Sequence, residues 1–554
     1  MNIKIFCTNT GEYLDVAGGS TLAQIATAIE PGLGFKPICA RVNNKTEGMG
    51  FAVYMPKTIE FQDRTTGSGP RVYTRSLCML LYSALQDVLP DTRLRIEHSI
   101  SHGYYCRLAG YADVPQTLID DVFARMRELS AADVPFCRHE EPTEEVKKMF
   151  DRRGQHSKSE LLRTTRELYT VYYSLGDVCD SYYGALAPST GYIDVFDIIK
   201  YKEGFLLMPF DAADPSRPAQ YIAQEKMYKA FTDYVKFNHI IGVCDVGGLN
   251  TCVMNRKTAD LINVAEALHE KALAHISDEI TKRYREGGAR IVLISGPSSS
   301  GKTTTTKRLA IQLMTNLLKP QMISLDDYFI NRELTPLDAD GEYDYESLYA
   351  LDLEQFNADL NAILAGEDVQ LPSYNFEKGC RQYKGKHIKL DEGSILLIEG
   401  IHGLNPELTL SIPEKMKFRL YVSALTTLSI DDHNWVPTTD NRLLRRIIRD
   451  FKYRGTSAED TIKRWPSVRR GEDKWIFPYQ ENADAMFNSS FVFELGVMKD
   501  YAESILRNVH ADVPEYAEAY RLRKFLSYFK SISSSLLPST SLLREFLGGS
   551  SFKY

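Results

Sequence analysis

Residues 296–303 read GPSSSGKT, and this short run restricts the fold more than any composition figure. Gly296, Gly301, Lys302 and Thr303 meet the G-x-x-x-x-G-K-[ST] pattern at full spacing. The apolar run ARIVLIS precedes it, and a stretch with Leu309, Leu313 and Leu317 on one helical face follows. The glycines allow the backbone to curl so that successive N–H groups of Ser298, Ser299, Ser300 and Thr304 point at one anion. The helix behind the turn offers its positive end to the same anion. Lys302 supplies a mobile charge to the outer phosphates of a nucleotide, and the Thr303 hydroxyl is placed to meet Mg²⁺. A strand before and a helix after argue against a chance Gly/Ser-rich turn.

The chain has 554 residues, enough for about three or four domains. With 44% hydrophobic and 25% charged residues it can bury a large core. Its formal charge of −7 excludes a generic nucleic-acid coat but leaves room for a local basic patch. Nine cysteines without a CxxC pair fit reduced thiols, and so a cytoplasmic location. The start, MNIKIFCTNTGEYLDV, does not read as a signal peptide. The longest apolar runs are strand-sized, so no membrane span is expected.

Residues 1–62 alternate short apolar runs with turns around one helix-like piece, TLAQIATAIE, and read as a small α+β module. Residues 63–255 are mixed, with helical SLCMLLYSALQDVL and TLIDDVFARMREL around strand-like YYCRLAG. A long amphipathic helix is predicted over 256–286, with Leu261, Ala265, Leu268, Ala272, Ile276 and Ile280 on one face, ending at Gly287 and Gly288. This helix, 256–287, is taken as a connection. From 288 to 500, apolar strands (ARIVLIS, QMISL, SILLIEG, FRLYVS, SFVFEL) alternate with helical stretches, which predicts a parallel α/β sheet. The extension 501–554 is rich in serine and glycine but keeps apolar anchors, so it is expected to dock.

Downstream carboxylates sit where phosphoryl transfer needs them. SLDDYF places Asp326 and Asp327 just after a predicted strand, at the sheet edge where ligands bind in open parallel sheets. An acid there can accept the proton of an attacking hydroxyl, or it can simply cap a helix. ILLIEG ends a buried strand in Glu399, where a cation such as Mg²⁺ or a structural ion-pair partner must offset the charge. NRLLRRIIRDFKYRG sets Arg442, Arg446 and Arg449 along one helical stripe, with Arg445 beside them and Arg454 after. Such a stripe is either a solvated face or a lid that brings arginines to a transferring phosphate.

Taken in order, GPSSSGKTT, SLDDYF, YDYESLYALD, LPSYNF, LLIEG and RRIIRDFKYRG resemble the uridine kinase/phosphoribulokinase family of P-loop kinases over residues 290–490. The resemblance implies ATP and Mg²⁺ as cofactors and phosphorylation of a nucleoside 5′-hydroxyl. It assigns Asp326 as the base, Lys302 and Arg449 to the transferring phosphate, and Thr303 and Glu399 to Mg²⁺, directly or through water. It places Tyr343 and Asp344 at the sugar, Tyr374 at the base, and Arg446 and Arg454 among the lid arginines. Two departures stand out. The histidine that reads the pyrimidine in uridine kinases has no counterpart near Gly379, and one lid arginine is replaced by Thr456. Arg381, Lys384 and Lys386 nearby would suit a phosphosugar or another small alcohol as acceptor instead.

The front half resembles a different family. LPDTRLRIEHSISHGYYCRL and GDVCDSYYGALAPSTGYI look like the amino-terminal TGS (β-grasp) and editing-type domains of threonyl-tRNA synthetases, over residues 1–200. The four metal-ligand places of that family fall on Arg75, Met79, Tyr182 and Leu186, a set that does not hold a metal. His98, His102 and Cys106 are spaced to suggest a metal too, but lie where the synthetases have no ligands. The resemblance therefore implies a binding or regulatory module, for RNA or a small ligand, with its hydrolytic site erased. An RNA-binding sensor that uses the P-loop as a switch is the alternative from another class. Uridine kinases often assemble, so a homo-oligomer is a further expectation from the resemblance.

Overall fold

The computed structural model describes residues 1–553, apart from the side chains of residues 30 and 31. Residues 1–62 form a mixed five-stranded sheet packed against the helix Leu22–Leu33. Ile5, Cys7, Ile59 and Phe61 of the strands share a core with Leu22 and Ile25 of that helix. The helix starts because Thr21 and Gln24 satisfy each other's backbone N–H in a capping box, and it stops at Gly34 with φ of 69°.

Residues 69–208 wrap a buried helix, Gly69–Val88, with a four-stranded antiparallel sheet and a three-stranded one. The predicted strand YYCRLAG falls in Gly103–Leu108, and the second predicted helix is Gln116–Ala131.

The long helix predicted over 256–286 runs Thr258–Arg285, with Gly287 following at φ of 75°. Of its predicted stripe, Leu261, Ala265, Ile276 and Ile280 share one apolar core with Ile294, Leu309 and Leu313, Leu273 joins them, and Ala272 and Leu268 are only half-buried. The helix is thus packed into the fold behind it rather than merely linking two parts.

Behind it lies a five-stranded, all-parallel sheet in the order Lys319–Ser324, Ser394–Glu399, Ile291–Ser295, Lys417–Ser423, Ala485–Asn488. Every residue of the central strand Ile291–Ser295 is buried, as expected of a strand covered on both faces. The last strand differs from the sequence expectation. SFVFEL forms no strand; Phe491 and Phe493 turn into the core just before the helix Glu494–Leu506, and Ala485–Asn488 completes the sheet. A short apolar-aromatic run has the same pattern in a buried turn as in a strand, and periodicity does not separate the two. The tail docks: Ser541, Leu542, Leu543 and Phe546 are fully buried. Among the described residues no helix is long and apolar enough to cross a membrane.

Candidate functional site

The phosphate-binding turn leaves the carboxyl end of the central strand. A side chain at Gly296 would put its Cβ 1.9 Å from the Val422 carbonyl oxygen, so only glycine fits against the neighbouring strand. Ser299 and Gly301 adopt left-handed backbone angles, with φ of 58° and 84°, and this curls the turn into an anion nest. The helix Lys302–Thr315 then starts inside the turn. Lys302 Nζ donates to the Gly296 and Pro297 carbonyls at 2.9 and 3.2 Å. Burial lowers its pKa, partly offset by the Glu399 and Asp326 carboxylates.

The two aspartates of SLDDYF separate by direction. Asp327 accepts from the Tyr374 backbone N–H at 3.4 Å and is tied into the fold. Asp326 is exposed, at the end of the strand Lys319–Ser324, and its charge acts on Lys302, Glu399 and Glu346 together. Glu399 accepts from the Thr303 hydroxyl at 3.1 Å. Burial first, and Asp326 second, push its carboxyl up to about 7. A hydroxyl and an acid at this distance suit a small oxygen-loving cation.

Glu346, not singled out by the sequence, faces the same space. Burial and Glu472 push its carboxyl from the ordinary 4.5 up to about 7. Because the folded state holds the proton more tightly, its favourable contribution is complete below about pH 4.5 and is lost as the pH rises through about 7. Glu346→Gln is therefore expected to raise the unfolding temperature at about pH 8 and to have much less effect at about pH 5. Thermal unfolding at both pH values checks this; an equal shift at both would contradict it.

The arginines fall into two sets on the helix Thr438–Arg454. Arg442 and Arg445 are fully buried, paired with Glu472 and Glu494, and donate to the Ser298 and Ser299 carbonyls. They hold the phosphate turn from behind. Arg446, Arg449 and Arg454 gather on Asp450, and Arg446 also donates to the Ser298 hydroxyl at 2.8 Å. Only this second set can turn toward a phosphate. Glu472 accepts from the Ser298 N–H at 3.0 Å, a contact that nothing in the local sequence signalled.

On the acceptor side, Tyr374 is buried at 7% exposure against Phe329 and Phe376. The more exposed rings of this aromatic patch are Phe376 and Tyr345, with Tyr343 beside Tyr345. The Asp344 carboxylate accepts from the Glu346 N–H at 3.1 Å and stays partly open. His402, three residues past Glu399 in EGIH, is buried near Lys302 and Ser347, and burial lowers its pKa to about 4. Its nearness to Glu399 in sequence was the available signal. Of the basic residues that suited a phosphosugar, Arg381 is paired with Asp352 at 2.8 Å and Lys386 donates to the Met322 carbonyl at 3.2 Å.

In the front half, the four places that match the synthetase metal ligands are engaged in other contacts. Arg75 donates from two nitrogens to the Ala185 carbonyl at 3.1 and 2.9 Å, and Tyr182 donates to Asp180 at 2.8 Å. Met79 and Leu186 lie in the apolar core. The two spaced histidines do not converge. His98 is buried, stacked on Phe231 at 3.9 Å and pushed down to about 3 by burial, while His102 is exposed on the following turn. Among the described residues no group of His, Cys, Asp and Glu is arranged to hold a metal.

The sequence model of the Phosphoribulokinase / Uridine kinase family matches residues 291–492, which hold the phosphate turn, Asp326, Glu346, Glu399 and the arginine helix, while Glu494 lies just beyond. Residues 291–492 are a domain of this family. The kinase domain has curated relatives at modest identity. It is 25% identical over 197 residues to a uridine kinase of Deinococcus deserti, covering 35% of this chain and 86% of that protein. A uridine kinase of Lactobacillus helveticus is 28% identical over 195 residues, covering 35% and 83%. The N-terminal region matches threonine–tRNA ligases; one of Bacillus subtilis is 27% identical over 190 residues, 34% of this chain but only 30% of that enzyme. Among solved structures, the D-glycerate 3-kinase of Cryptococcus neoformans overlaps with a TM-score of 0.22 and 14% identity, covering 47% of this chain and 87% of that one.

Proposed function

We propose that the kinase domain transfers the terminal phosphoryl group of ATP to the 5′-hydroxyl of a nucleoside. One observation carries the reading: of the two adjacent aspartates at the sheet edge, the exposed one, Asp326, shares its field with the phosphate-turn lysine, Lys302. In this reading Asp326 accepts the hydroxyl proton while Lys302, Arg446 and Arg449 hold the transferring phosphoryl oxygens. Gly296, Ser298 to Thr304 and Arg454 cradle the rest of the phosphate chain. Asp344 takes the ribose hydroxyls, and the Tyr343, Tyr345 and Phe376 rings flank the sugar and base. Thr303 and Glu399 would hold Mg²⁺, which neutralises charge on the outer phosphates. The pairing of Arg381 with Asp352 weighs against a phosphosugar acceptor, because it engages one of the basic residues that such an acceptor would use. ADP release measured with a panel of nucleosides and phosphosugars tests the reading. Acceleration by one nucleoside supports it; no acceleration by any acceptor would overturn it.

The docked tail meets the nucleotide side of this site. Leu542 lies over Gly301, and the Glu545 carboxylate accepts from the Thr304 N–H at 3.3 Å and its hydroxyl at 2.5 Å. A carboxylate on a helix-start N–H stands where a phosphate oxygen of the nucleotide would bind. Glu545→Gln is expected to tighten ATP binding about tenfold by weakening this competitor. Calorimetric titration checks it, and weaker binding in the variant would instead make Glu545 a supporting residue.

A further inference from the structure

The segment TTLSIDDHNWVPTTD, residues 426–440, joins the strand Lys417–Ser423 to the arginine helix Thr438–Arg454. Rich in Ser, Asp, His and Asn, it has the composition of an exposed loop. In the structure it is buried instead: Ser429, Asp431, His433 and Asn434 are each at most 3% exposed. Buried polar groups need partners, and buried charges need opposite charges. The front half supplies them. Lys158, 1% exposed, lies 2.6 Å from Asp180 of its own half and 2.9 Å from Asp431 of the kinase segment. Asp180 in turn bonds His433 at 2.7 Å. Arg93 grips Asp432 with two nitrogens at 2.8 and 3.1 Å, and the Ile96 N–H donates to the Asp432 carbonyl at 2.8 Å.

This socket ends just before Pro437, from which the arginine helix starts. The helix fixes the phosphate turn through Arg442 and Arg445 on the Ser298 and Ser299 carbonyls, and presents Arg446 and Arg449. A shift of the socket therefore moves the groups that cradle and neutralise phosphate, and misplacement of such groups by as little as about 1 Å is costly in rate. We propose that the synthetase-like half is a brace for the catalytic arginines, with Lys158, Asp180 and Arg93 as positioning residues that act through residues 431–434. The Tyr182 hydroxyl, at one of the synthetase metal places, is bonded to Asp180 and so belongs to this brace. The same contacts fill the socket with the chain's own residues, which disfavours an RNA end or other ligand entering there.

The inference rests on the phosphoryl-transfer reading, and its test separates the two. The full chain is compared with Lys158→Met and with Arg93→Ala, whose side chain is half exposed. Steady-state rates and amide exchange over residues 438–454 are measured on each. The brace predicts faster exchange in the arginine helix and a kcat lowered about tenfold in Lys158→Met and about threefold in Arg93→Ala, with KM for ATP and acceptor within about twofold. Folded variants with parent kcat and parent exchange would overturn it. So would a fall in kcat that vanishes once rates are divided by the folded fraction. If Lys158→Met does not fold, Arg93→Ala decides by the same criteria. If the parent itself transfers phosphate to no acceptor, the kinase reading fails, and the exchange of residues 438–454 alone decides the brace.

Discussion

Replacing Asp326 by asparagine is expected to lower kcat about 10²–10⁴-fold while KM for ATP stays within about twofold. The amide keeps the size of the side chain and its exposed place at the sheet edge, but it cannot take a proton from the attacking hydroxyl. Asp327→Asn has a different expected result. That carboxylate is tied to the Tyr374 backbone N–H, so its loss acts on the strand Val369–Asn375 and on stability before it acts on chemistry. Steady-state kinetics on the two variants separate the roles. A full loss in Asp327→Asn with near-normal Asp326→Asn would reverse the assignment.

The second large effect belongs to Arg445. Its guanidinium is fully buried, paired with Glu494, and bonded to the Ser489 carbonyl at 2.9 Å. Arg445→Met would leave Glu494 as an uncompensated buried charge, a situation that costs about 3–5 kcal/mol. Denaturant unfolding should show that loss. Arg449→Met, a few residues along the same helix but only partly buried on Asp450, should leave stability nearly unchanged and lower kcat about 10²–10³-fold. Equal stability losses in both variants would contradict the division of the arginines into a supporting and a reacting set.

The phosphate turn was legible because its determinants are contiguous: spacing, the strand before and the helix after are all local. The arginine stripe was legible as a helix, but not its division. Arg442 and Arg445 are buried by Glu472 and Glu494, which arrive 30 and 49 residues later in the chain. Asp326 and Asp327 are adjacent and chemically identical, and only the direction of each side chain distinguishes them. Glu545 reaches Thr304 across 241 residues, with no local pattern to announce it. The polar segment 429–434 carries no local sign of its burial. Its residues are those of a surface loop, and they are buried because a complementary lysine and arginine wait in the other half. The misplaced last strand, SFVFEL, has the same origin, since composition reports burial without reporting backbone shape.

The central claim is that the phosphoryl group leaves ATP for an acceptor hydroxyl under the control of Asp326. The most direct measurement is mass-spectrometric identification of the product formed from ATP, Mg²⁺ and a nucleoside, with fragmentation to locate the new phosphate. The account predicts a nucleoside 5′-monophosphate formed in step with ADP, and its absence with Asp326→Asn. ADP and free phosphate alone, produced equally by parent and variant, would contradict it.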